Sequence, residues 1–279
     1  MCGRFVSTTP PAVLAERFRA TVIDPDAEEV GASWNVAPTD VVNAVVSDRE
    51  ERRIRPLRWG LVPSFARDPG GGARMINARA ETIGRAPAFR AALARRRCLV
   101  PAEGFYEWRR LPRRASAPAG STSGVEPLRL FSLDPDRPAR AVGSGVRRRE
   151  RRDRAGAGRG AGREAARPFY FRRKDGDLLA LAGLWELWRD AGGQWLATCS
   201  VVTTDATEPV SEIHDRMPVV LSPEHWEDWL DPDALDAAEA EELVSRPQAA
   251  GLLERWAVSP EVNSVRNNSS RLIEPHPEG

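Results

Sequence analysis

The sequence predicts an α+β fold, a single domain with a curved, largely antiparallel β core and peripheral helices. Three observations lead there. Short β-branched or apolar runs, such as residues 41–47 and 194–203, recur between turn residues. The helical segments are short and lie outside these runs instead of alternating regularly with them, which separates the chain from the parallel α/β class. At 279 residues with 41% apolar content, it can bury a real core.

Each element has a local reason. Thr8-Thr9-Pro10-Pro11 opens a helix over 12–20, with Val13, Leu14 and Phe18 on one face. Residues 41–47 and 54–62 read as neighbouring strands, the second ending in a loop shaped by Gly60 and Pro63 through Phe65. A glycine run at 70–72 precedes the polar cluster around Asn77, and a helix follows over 87–96. Residues 98–108 read as a strand broken at Pro101. From about 111 to 167, proline, glycine, serine, alanine and arginine dominate. Such a stretch buries too little apolar area to offset its ordering entropy, so an interruption of the domain at about 112–167 is expected to be disordered, with weak order at 128–133.

Residues 168–172 and 178–187, joined by Lys174-Asp175-Gly176-Asp177, read as a β-hairpin, and 194–203 as the next strand. Ser222-Pro223 starts a short helix to Leu230, a second helix spans 232–244, strands at 254–258 and 262–265 finish the fold, and the proline-rich end is expected to fray. No repeat, heptad, P-loop or dinucleotide fingerprint is present.

Composition narrows the function. No apolar run reaches about 18 residues, and residues 1–11 lack the basic start and apolar stretch of a signal peptide. Cys2, Cys98 and Cys199 are widely spaced and odd in number, so neither a disulfide framework nor a metal site is expected, and a reducing cytoplasm fits. The net charge is +1, yet arginines crowd 85–114 and 147–173 while 224–242 is acidic. Local basic surface matters more to a phosphate backbone than the total does.

The N-terminus, Met1-Cys2-Gly3-Arg4-Phe5, carries distinctive chemistry. Removal of Met1 leaves Cys2 with an α-amine beside its thiol, with ordinary pKa values of about 8 and about 8.5. An aldehyde is captured by such a pair as a Schiff base that the thiol closes into a thiazolidine. The chain has a single lysine, Lys174, so amine chemistry points to the N-terminus. Glu107, between Tyr106 and Trp108, would have a raised pKa if buried; a solvated glutamate at a strand edge is the other reading. His214 sits in a polar spot before an apolar strand, a placement that suits a structural histidine as well as a catalytic one.

Six blocks, in order, carry a resemblance: Cys2-Gly3-Arg4-Phe5, Trp59-Gly60-Leu61-Val62-Pro63-Ser64, Asn77-Ala78-Arg79-Ala80-Glu81-Thr82, Gly104-Phe105-Tyr106-Glu107-Trp108, Ala182-Gly183-Leu184-Trp185-Glu186 and Ile213-His214-Asp215-Arg216-Met217-Pro218. Together they resemble the SRAP family, the SOS-response-associated peptidase-like or abasic-site processing proteins. The resemblance implies that Cys2 captures the ring-opened aldehyde of an abasic site in single-stranded DNA, forming a stable crosslink that protects the lesion during the DNA damage response. It implies that Asn77 orients the opened sugar, Glu107 shuttles protons, and His214 assists sugar opening and reversal. Arg79 and Arg216 resemble phosphate-holding arginines, with Arg4 a further candidate. Trp59, Phe65 and Trp108 would supply stacking platforms. Phe65-Ala66 stands where many relatives carry two tryptophans, and the arginine-rich insertion is not a family feature. No cofactor is expected, nor a membrane partner; a monomer near the nucleoid is.

Two rival readings stay open. Cys2 could attack an amide as a cysteine peptidase or amidohydrolase, although no stretch identifies an oxyanion hole. The same blocks could instead shape a non-catalytic single-stranded DNA-binding groove.

Overall fold

The computed structural model describes residues 2–48, 51–110, 166–248 and 250–277. Its strands are β1 (Phe5–Ser7), β2 (Val22–Ile23), β3 (Ser33–Val36), β4 (Val41–Asp48), β5 (Glu51–Trp59), β6 (Asn77–Arg79), β7 (Arg97–Ala102), β8 (Gly104–Arg110), β9 (Ala166–Arg173), β10 (Leu179–Arg189), β11 (Trp195–Asp205), β12 (Arg216–Pro218) and β13 (Leu253–Ala257). Four α-helices, α1 (Pro11–Phe18), α2 (Pro87–Arg95), α3 (Trp226–Leu230) and α4 (Ala237–Ser245), pack around them.

Residues 97–110 set the architecture. The chain is broken at Glu103, not at Pro101, which lies inside β7 opposite Ala180. The two halves enter different sheets. β7 belongs to an eight-stranded sheet in the order β12-β11-β10-β7-β4-β5-β2, with β6 beside β11, and β8 to a five-stranded sheet in the order β13-β9-β8-β1-β3. Gly104 permits the change of sheet, because a Cβ there would lie 2.3 Å from the Phe171 carbonyl and 2.5 Å from the Tyr170 ring. The larger sheet curves until β5 meets β11 in parallel at Thr198↔Arg58 and Cys199↔Trp59, closing a ring of β5, β4, β7, β10 and β11. Apart from this contact, β2–β5 and β6–β11, the pairing is antiparallel.

Alternation along the strands sorts side chains into three layers. Cys98, Val100 and Ala102 of β7 join Phe105, Phe169 and Phe171 in a core shared by the two sheets. Leu99, Ala180, Ala182 and Val202 face outward onto the helices, meeting Leu14, Phe18, Leu93, Trp226, Trp229 and Leu243. Val6, Tyr106 and Tyr170 cover the other face of the smaller sheet with Val258, Val262 and Leu272.

The α+β class, the antiparallel core and the peripheral helices match the expectation from sequence, but several connections differ. The hairpin expected of 168–187 does not form: β9 pairs with β8 and β13, β10 pairs with β7 and β11, and the Lys174 turn passes the chain between sheets. The hairpin is β10–β11, closed by the Asp190–Gly193 turn. The second acidic helix starts at Ala237, where Asp236 and Glu239 form a capping box, rather than at Pro232. Residues 260–263 form a 3₁₀ turn instead of a strand. The C-terminal segment is held through His276, whose backbone N–H donates to the Ala257 carbonyl. The insertion expected at about 112–167 lies outside the described residues, except that Ala166 and Arg167 already belong to β9. Among the described residues no helix is long and apolar enough to cross a membrane.

Candidate active site

β1 carries the N-terminus into the core between the sheets. It pairs with β8 through Phe5↔Phe105, and the Tyr106 N–H donates to the Arg4 carbonyl at 2.9 Å. Just beyond β1, the Glu103 carboxylate accepts hydrogen bonds from the Thr8 backbone N–H and from the Thr8 and Thr9 hydroxyls. These contacts leave the first residues little freedom, and Cys2 is fully buried in the inter-sheet core. Asn77, opposite Val201 where β6 runs parallel to β11, donates from Nδ2 to the Cys2 carbonyl at 2.8 Å. Its Oδ1 is buried and has no hydrogen-bond partner among the described residues. That oxygen is a buried acceptor with its capacity unused, on the same amide that holds the Cys2 carbonyl.

Glu107 lies on the same face of β8 as Phe105, opposite Phe169 on β9, and is 2% exposed. Burial pushes its carboxyl up to about 7, and the Asp215 charge adds to the rise. The Cys2 thiol is also pushed upward, first by burial and then by the Glu107 charge. Cys2, Glu107 and the Asp215 turn are therefore within electrostatic reach of one another. Of the two readings of Glu107 left open by the sequence, the buried one holds.

His214 is half-buried beside that turn. Its Nδ1 lies 3.0 Å from the Arg216 backbone N–H and 2.9 Å from Asp215 Oδ1. One nitrogen cannot accept from the first while donating to the second. The backbone donor is fixed and the Asp215 side chain is exposed, so Nδ1 reads as the acceptor, leaving Nε2 to carry the proton.

The residues expected to bind DNA separate into two groups. Phe65 is 69% exposed and Arg79 is exposed on β6, both open to a ligand. Trp59 is not a stacking platform: it is fully buried, packs edge-on against Phe5 at 4.8 Å and donates its indole N–H to the Ile76 carbonyl. Arg4 is turned inward, donating to Asn35 Oδ1 and the Val262 carbonyl. Trp108 lies on the face of β8 opposite to Glu107, with its indole N–H on Asn263 Oδ1. Arg216 is held by both Glu81 oxygens at 2.8 and 2.9 Å, by Asp205 at 2.6 Å and by the Thr203 carbonyl at 2.7 Å. Its fork is occupied within the protein. Glu81 and Asp205 had no role assigned from sequence; the only hint was Glu81 inside the Asn77 block, and the pairing spans 135 residues.

The model of the SOS response associated peptidase (SRAP) family matches residues 1–122 and 159–265. The chain belongs to the SRAP family. Among similar proteins, the Bacillus subtilis protein named abasic site processing protein YoqW is 34% identical, over 99% of this chain and 100% of its own length. The mouse protein named abasic site processing protein HMCES is 28% identical over 99% of this chain and 76% of its own length. A crystal structure of a Bacteroides thetaiotaomicron protein shares the SRAP chain's fold at a TM-score of 0.71 and 21% identity, covering 99% and 100% of the two chains.

Proposed function

We propose that this SRAP protein processes abasic sites in single-stranded DNA by capturing their ring-opened aldehyde on Cys2 once Met1 has been removed, protecting the lesion during the DNA damage response. The α-amine of Cys2 adds to the aldehyde carbon, and loss of water gives an imine. The thiol sulfur then adds to the imine carbon while its proton passes to nitrogen, closing a thiazolidine. Every step moves a proton at one nitrogen or one oxygen. A carboxyl that titrates near neutrality serves both directions, and positioned proton transfer of this kind contributes ~10²–10⁴-fold. Glu107 takes that role, Asn77 orients the opened sugar, and His214 assists ring opening and reversal. Arg79 and Phe65, both exposed, contact a flanking phosphate and a base. The protein acts as a monomer in the cytoplasm and needs no cofactor.

The observation that carries this reading is the convergence on Cys2 of the Asn77 amide, at 2.8 Å from its carbonyl, and a buried carboxyl raised to about 7. The same surroundings disfavour a thiolate-first attack on an amide, because a cysteine nucleophile needs a depressed pKa and burial drives Cys2 the other way. The test is a denaturing gel of the untagged protein mixed with a single-stranded oligonucleotide bearing one abasic site, beside Cys2→Ala. A slow-migrating band that needs Cys2 is expected. Its absence from protein shown by mass spectrometry to begin at Cys2 would overturn the proposal.

A further inference from the structure

β8 continues past Glu107 to Arg109, about 7 Å further along the strand and on the same face. Register places Arg109 opposite Arg167, just as Glu107 lies opposite Phe169. The Arg109 guanidinium stacks on the Phe169 ring at 4.6 Å and that of Arg167 lies 5.8 Å from the same centroid. Arg255 of β13 approaches the ring too, at 5.7 Å, but is already neutralised by Glu212 and bonded to the Pro209 carbonyl. Arg109 has neither a hydrogen bond nor an ion pair among the described residues, and Arg167 has only a hydrogen bond from one nitrogen to the Pro277 carbonyl at 3.3 Å. Stacking occupies the flat face of a guanidinium and leaves its in-plane N–H donors directed outward. Both arginines are half-buried, so the ring holds them in place at low further entropy cost.

We propose that Arg109 and Arg167, mounted on Phe169, form a two-arginine phosphate clamp that receives the nucleic-acid backbone as it leaves the site beside Glu107. The inference rests on the single-stranded DNA reading above and assigns the strand its exit past the Arg109–Arg167 pair of β8 and β9. Phosphate is the ligand chemistry because two neighbouring forks, without a carboxylate partner among the described residues, match its oxygens bidentately. No base edge is read there, so the clamp is indifferent to sequence.

The test is fluorescence anisotropy with a labelled single-stranded oligonucleotide lacking any lesion, titrated over a series of salt concentrations. Wild type is compared with the Arg109→Gln/Arg167→Gln pair and with the Arg109→Lys/Arg167→Lys pair. Loss of two phosphate contacts is expected to weaken binding by roughly tenfold and to flatten the slope of log affinity against log salt by about 1.4, at about 0.7 per contact on a single strand. The lysine pair keeps its charge and is expected to retain most of that slope. If the glutamine pair does not fold by circular dichroism, Arg109→Gln alone leaves two cations on the ring and is expected to flatten the slope by about 0.7. Unchanged affinity and slope in a folded variant would overturn the clamp. Wild type is separately offered the abasic oligonucleotide. Arginine-dependent binding without a covalent adduct leaves the clamp standing and removes the crosslinking chemistry. An adduct with arginine-independent binding does the reverse.

Discussion

A carboxyl group kept from water between two sheets ionises reluctantly, and Glu107 therefore links stability to pH. Its folded pKa of about 7 stands above the ordinary 4.5. Between those values the folded chain holds a proton that the unfolded chain has released, so stability falls as pH rises across that window, by on the order of 3 kcal/mol. Glu107→Gln has no proton to lose. Thermal unfolding at pH 5 and pH 8 is expected to show a smaller loss for the variant than for wild type; equal losses would mean that this carboxyl is not the group responsible. The same substitution is expected to slow adduct formation by ~10²-fold or more and to remove an inflection near pH 7 from its rate profile, measured by quenched gels. A wild-type rate would take proton transfer away from Glu107. Arg216 illustrates how residue-scale context changes a reading. A guanidinium expected to face phosphate spends its donors on Glu81, Asp205 and the Thr203 carbonyl, and so braces the turn that carries His214.

At the scale of elements, a single buried arginine fastens two helix ends to the barrel. Arg97, the first residue of β7, donates from Nε to the Trp229 carbonyl at 2.6 Å and from its terminal nitrogens to the Leu93 and Asp231 carbonyls at 3.0 and 2.5 Å. These carbonyls lie at the C-terminal ends of α2 and α3, where helices leave acceptors unpaired and a cation is favourable. Arg97→Leu removes the donors and strands buried oxygens. It is expected to cost about 3 kcal/mol, lowering the melting temperature by roughly 6–12 °C; a shift under about 2 °C would show that solvent reaches those carbonyls after all. The sequence could not show this, because the Trp229 and Asp231 carbonyls are over 130 residues away and an arginine before Cys98-Leu99-Val100 looks like a strand-end solubiliser. Helix positions were legible because proline starts and apolar spacing are local. The fate of β9 was not, since aromatic and apolar runs on either side of a Lys-Asp-Gly turn fit a hairpin equally well, and only packing against β8 and β13 decides it. Trp59 misled for a similar reason. It lies in a glycine- and proline-punctuated segment, yet it is the last residue of β5, at the point where the ring closes against Cys199. Of the candidate site, Cys2, Asn77, Glu107 and His214 were proposed from a family pattern, whereas Glu103 bracing Thr8 and Thr9 was not, because nothing near residue 103 signals its partners.

At the scale of the molecule, the two sheets share one core, and the N-terminal thread runs into it. β1 is hydrogen-bonded on both sides, to β3 and β8, which fixes the direction from which Cys2 enters. Cys2 packs in the same cluster as Phe105, Phe169 and Cys199, so it sits where the closed ring and the smaller sheet meet. Such a site admits an aldehyde only if the chain ends there, because an added residue turns the α-amine into an amide nitrogen that cannot form an imine. Cys98 and Cys199 offer no substitute: both are fully buried, as Cys2 is, but neither can carry an α-amine beside its thiol. An N-terminal extension that resists processing is therefore expected to abolish the covalent band on a denaturing gel. Binding of lesion-free single-stranded DNA is expected to persist, since the contacts proposed for Arg79, Phe65 and the Arg109–Arg167 pair need no free α-amine. Cutting the extension so that Cys2 leads the chain is expected to restore the band. An adduct formed at the wild-type rate by the uncut protein would mean that the aldehyde is captured by some group other than the Cys2 amine.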